Sequence, residues 1–63
     1  MLSERAATVL NVLVDEYLQS ATPVASDEIA RSLDQKISSA TVRNTMAQLT
    51  EDGYISRPHV SSG

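Results

Sequence analysis

One stretch of the chain gathers side chains that can read another molecule. Between Ala40 and Gln48 stand Ala40, Thr41, Arg43, Asn44, Ala47 and Gln48, all compatible with a helix. At about 100° per residue, Val42, Met46 and Leu49 fall together on one side of that helix, and Ala40, Asn44, Ala47 and Gln48 fall opposite, with Thr41 beside them and Arg43 on the flank. The outward side carries amides, a hydroxyl and a guanidinium among small residues, and no acid; Glu51 and Asp52 follow only at the C-terminal end. Duplex DNA matches such a surface. Small residues let a helix enter the major groove, Asn or Gln can pair bidentately with adenine, and Arg can reach guanine or phosphate. A helix whose outer face serves only its own stability carries alternating Glu and Lys instead.

Further candidates lie at the edges of this stretch. Ser26 and Ser39 precede or open apolar helical patterns, where a hydroxyl or backbone N–H can contact phosphate. Arg57 and His59 lie in the segment after the helix and are candidate phosphate contacts as well. A catalytic reading has little to stand on. The chain has one His and no Cys, so neither a metal site nor thiol chemistry can be assembled from the usual ligands, and no cofactor is expected. A 63-residue domain also has little room for a ligand-sized cavity.

The elements that must hold these residues can be read from periodicity. Ala6, Val9, Leu10, Leu13, Val14 and Tyr17 form one apolar stripe over a helix near residues 4–19, with Ser3 as N-cap, Glu4 at the positive end of the dipole and Leu2 spaced to staple onto Ala7. Val12 falls off the stripe and is expected to be exposed or to touch a partner. Pro23 stops this helix and pushes Thr22 toward extended backbone; Val24 is a candidate for a short strand or a single bridge. Ser26 is expected to cap a second helix near 26–33, with Asp27 and Glu28 in its first turn. Asp34 to Ile37 reads as a short turn. Ser38 or Ser39 caps a third helix near 39–52, and Gly53 suits the left-handed position after its end. Tyr54 to Arg57 reads as a strand that Pro58 ends or confines to an edge. The expected core is Val9, Leu10, Leu13, Val14, Tyr17, Ile29, Leu33, Ile37, Val42, Met46, Leu49 and Ile55. The fold class is mainly α: a three-helix helix-turn-helix of the winged-helix type, with a short or truncated β wing.

Charge bears on the choice of partner. The net charge is −3. Residues 1–35 set Arg5 and Arg31 against Glu4, Asp15, Glu16, Asp27, Glu28 and Asp34; residues 36–63 set Lys36, Arg43 and Arg57 against Glu51 and Asp52. This argues against a generally basic nucleic-acid binder and permits a local cationic face in the second half. No apolar run approaches the roughly 18–20 residues of a membrane span, no signal peptide is expected from the residues after Met1, and the lack of Cys suits a reducing compartment.

Several motifs together point to a known family. The run Ile37-Ser38-Ser39-Ala40-Thr41-Val42-Arg43-Asn44-Thr45-Met46-Ala47-Gln48-Leu49, then Gly53-Tyr54-Ile55, then Pro58-His59-Val60-Ser61-Ser62-Gly63 resembles the N-terminal domain of the bacterial heat-inducible transcription repressors called HrcA. That family reads S-S-A-T-I-R-N-D-M, L-E-x-x-G-[LY]-[IL] and P-H-T-S-A-G. Leu2-Ser3-Glu4-Arg5 and Pro23-Val24-Ala25-Ser26 resemble its opening and loop pieces. The resemblance spans nearly the whole chain. It implies a winged-helix domain over residues 1–63 that binds double-stranded DNA at an inverted-repeat operator upstream of chaperone genes, in the cytoplasm, as part of a homodimer whose larger C-terminal region is modulated by a groE-type chaperonin.

The chain departs from the pattern in three places. Asp27 stands where the family often has Lys, Thr45 replaces a usual acid, and the family's basic continuation R-[IV]-P-T after the glycine is absent, leaving the wing incomplete. The expectation is therefore a monomer that binds its half-site weakly, with residues 59–63 mobile. The competing expectation is a winged-helix module that docks on proteins and does not bind DNA.

Overall fold

Ser3 starts the first helix as the sequence predicts. Its hydroxyl accepts the Ala6 N–H at 3.0 Å, and α1 runs Glu4–Ser20. In the computed structural model the described residues are 2–60. The helix closes on Ala21, which takes a left-handed φ of 55° and donates its N–H to the Tyr17 carbonyl. Pro23 then carries the chain over to α2, Ser26–Ser32.

The α2–α3 connection is built by backbone. Gln35 N–H reaches the Ala30 carbonyl and Lys36 N–H the Leu33 carbonyl, with Asp34 and Gln35 both left-handed, at φ 55° and 60°. Two such residues reverse the chain within a few positions, at a conformational cost that Asp tolerates better than most side chains. The third helix, α3, runs Ser39–Glu51. Ser38 is its cap, accepting the Thr41 N–H at 3.2 Å. Its far end is a Schellman motif: Tyr54 N–H bonds the Leu49 carbonyl and Gly53 N–H the Thr50 carbonyl, with Gly53 at φ 86°.

The core gathers Val9 and Leu13 of α1, Ile29 and Ala30 of α2, Val42, Met46 and Leu49 of α3, and Val24 and Ile55 from the loops. Leu10, Tyr17, Leu33 and Ile37 pack against it half-buried. Two α1 expectations are corrected. Val14 is 45% exposed, and Val12, expected outside, packs on the core. The buried arc is rotated from the predicted stripe toward Val12 and Glu16. On that side a polar contact that apolar periodicity cannot register also joins the helices: half-buried Glu16 accepts a 2.6 Å hydrogen bond from the Ser32 hydroxyl of α2.

The predicted strand over Tyr54–Arg57 is also corrected. No strand forms among the described residues, and a 3-10 turn, Arg57–His59, takes its place. Hydrogen bonds within the turn explain this. His59 N–H bonds the Ser56 carbonyl at 3.0 Å, and Ser56 N–H donates to His59 Nδ1 at 3.1 Å, so groups that a ladder needs are already engaged. The chain then returns to α1 and α2. Val60 forms a single parallel bridge with Val24, whose N–H donates to the His59 carbonyl at 3.0 Å. His59 and Val60 are therefore held, contrary to the expectation of mobility; Ser61 to Gly63 lie outside the described residues.

Candidate nucleic-acid interface

The packing of α3 decides which side chains can meet a partner. Val42, Met46 and Leu49 are 0%, 5% and 1% exposed. With that side pressed on α1 and α2, the helix turns Ala40, Arg43, Asn44, Ala47 and Gln48 to solvent, and Thr41 is half-buried beside them. No acid interrupts this face before Glu51.

The polar groups of the face differ in what they already hold. Thr41 Oγ1 accepts a 3.0 Å hydrogen bond from the Ser38 hydroxyl, which fixes it against the cap. Gln48 Nε2 donates to the Asp52 carboxylate. Among the described residues, Arg43 and Asn44 make no side-chain hydrogen bond or ion pair. A solvated amide and guanidinium lose only water when they meet a base or a phosphate, so these two can be recruited without breaking the domain's own bonds.

The remaining candidates are placed differently. Ser26 is expected as the α2 cap, with its hydroxyl or backbone N–H toward phosphate. It is instead the first helical residue, 1% exposed, and Ala25 occupies the cap position without a side-chain bond. At 1% exposure neither its hydroxyl nor its backbone N–H faces solvent, so Ser26 is not among the groups this surface presents. Ser39 opens α3 half-buried. His59 is drawn away from the α3 face: its ring packs edge-on against Tyr17 of α1, centroids 4.9 Å apart. Arg57 belongs to the same 3-10 turn, and its side chain lies outside the described residues.

A second exposed surface was missed. Val14 and Leu18 of α1 meet Tyr54, Ile55 and His59 around an apolar groove of about 240 Å³, and Leu18 and Tyr54 are 75% and 50% exposed. The i, i+4 spacing of Leu10, Val14 and Leu18 was the available signal.

A short helix, a tight turn, a second helix with a polar outward face and a third helix bracing both define a helix-turn-helix domain of the DNA-binding class. Comparison with known proteins agrees. The family described as "Winged helix-turn-helix transcription repressor, HrcA DNA-binding" matches residues 1–57, and the chain belongs to it. Among curated relatives, the "Heat-inducible transcription repressor HrcA" of Brevibacillus brevis is 49% identical over 63 residues, covering 100% of the chain and 18% of the relative. The repressors of the same name from Chlorobium phaeobacteroides (strain BS1) and Shouchella clausii are each 48% identical, over 98% and 100% of the chain and 18% of their own length. The chain thus spans 18% of the length of these relatives. No solved structure matches it. No helix among the described residues is long and apolar enough to cross a membrane.

Proposed function

We propose that the chain reads duplex DNA through the outward face of α3, with Asn44 and Arg43 as principal contacts and Thr41, Gln48 and Ala40 around them. Ser39, at the helix start, is assigned to phosphate. The observation that supports this most is the pair Arg43 and Asn44, exposed, unengaged among the described residues and on an acid-free stretch of helix. The target is the inverted-repeat operator of heat-shock genes, read one half-site per domain. In a protein of the relatives' length the reading extends to repression, a homodimer on the two half-sites, a groE-type chaperonin as modulator and a cytoplasmic setting. The role is binding, without catalysis.

The test is a mobility-shift titration on an inverted-repeat duplex at two salt concentrations, with random DNA as competitor. Specific, salt-dependent binding is expected. Binding without preference or salt slope fits the second reading, a protein-docking module, which the apolar groove at Val14, Leu18 and Tyr54 favours.

A further inference from the structure

The end of α3 carries an acid that DNA attraction does not account for, and that a weak side-chain bond within the helix explains only in small part. The helix has no basic residue in its last turn; Glu51 and Asp52 stand there instead. Carboxylates at that end oppose the helix dipole, and beside the outward face they repel phosphate. Yet Asp52 is specifically engaged. Gln48 Nε2 donates to both of its carboxylate oxygens, at 3.1 and 3.2 Å. Both residues are exposed, one helical turn apart. Asn44, one turn earlier on the same face, has no such partner among the described residues.

This bond orients the Gln48 amide. An untethered glutamine offers a donor and an acceptor together and pairs with both N6 and N7 of adenine. The carboxylate engages one of the two N–H groups of that nitrogen, so the plane of the amide is set and its carbonyl oxygen and second N–H keep a fixed direction. A donor–acceptor edge held in one direction meets N7 and N6 of adenine at one position along the groove, where a freely turning amide can reach its neighbours as well.

We propose that Asp52 is a positioning residue that fixes the orientation of the Gln48 amide and so sets which base pair the C-terminal half of α3 reads. The inference rests on the reading that this face enters the major groove. It explains the unfavourable acid at the helix end: the charge weakens overall attraction to DNA, and the hydrogen bond sharpens choice.

The experiment uses an inverted-repeat duplex selected from a randomised pool by the unaltered chain, a set of duplexes with each base pair replaced in turn, and a random duplex. Gln48→Ala identifies the base pair that Gln48 reads, by a loss of preference of about fivefold or more there. Asp52→Ala is expected to change the preference at that same pair. Asp52→Asn is expected to keep it, because the asparagine carbonyl still accepts from Gln48. Both variants remove one negative charge and tighten random-duplex binding equally, which separates charge from orientation. If Asp52→Ala leaves the preference intact, or if the Ala and Asn variants shift it alike, the positioning role is wrong. Asn44→Ala isolates the underlying reading. Equal loss on selected and random duplexes overturns base reading by this face and the Asp52 role with it; a selective loss beside an inert Asp52→Ala overturns only the latter.

Discussion

Two exposed surfaces of this domain are built from opposite materials. The outward face of α3 carries Arg43, Asn44 and Gln48 among alanines, with the apolar residues of that helix turned inward. The groove between α1 and residues 54–59 carries Val14, Leu18 and Tyr54, the large hydrophobics left exposed among the described residues. The first surface suits a hydrated, charged partner; the second suits one that leaves water. The contrast shows how a chain of 63 residues can keep two surfaces chemically separate. Neither surface shares its key side chains with the other, and the common core under both is what links them.

The strongest way to break this arrangement is to remove that common support. Leu13 is 1% exposed, lines the base of the groove and belongs to the core against which α3 packs. Leu13→Ala is expected to cost about 2–4 kcal/mol, a large share of the stability of a small domain, and to weaken both surfaces together. A thermal melt matching that of the parent chain contradicts this. Next in size, Asn44→Ala and Arg43→Ala are expected to lose about 1–3 kcal/mol of operator binding each while leaving the melt in place; random-DNA binding changes less for Asn44. Competition titrations decide whether Asn44 reads bases or merely touches backbone.

A smaller effect is expected at the start of α3. Ser38→Ala removes the hydroxyl that accepts the Thr41 N–H and donates to Thr41 Oγ1, at about 1 kcal/mol of stability, with affinity following because Thr41 loses its anchor. An unchanged denaturant midpoint shows that the cap is dispensable. The least effect on fold is expected at Leu18, 75% exposed. Leu18→Ser is expected to change stability by less than about 0.5 kcal/mol and DNA affinity not at all. Weaker binding in that variant would show that the two surfaces are coupled.

Much of this was legible in the residues. The three helices, the Ser3 cap, the glycine after α3 and the division of α3 into an inner and an outer side follow from spacing and turn chemistry, because each is set within a few residues of itself. What escaped was set at a distance. Val14 lies on the predicted stripe, but the arc of α1 turned to the core includes Val12, and the Glu16–Ser32 bond beside it joins residues 16 positions apart. Residues 54–57 have strand-forming types, yet the His59 ring supplies the acceptor that folds them into a turn. Ser26 was misread for a related reason: a serine before an apolar run marks a cap only when the preceding residue does not take that position first, and here Ala25 does.

The contact between Val24 and the end of the described chain has a consequence for how the domain assembles. Nearly every backbone bond described here closes over three to five residues, which favours rapid, local formation of each helix. The bond from Val24 to the His59 carbonyl and the adjoining bridge to Val60 instead join positions about 36 apart. That closure spans α2 and α3, so it is expected to report completion rather than initiation. The Val24 amide is therefore a clock for the last step of folding: in pulsed hydrogen exchange it should gain protection after the amides in the middle of α1 and α3, and protection ahead of them would reverse the order.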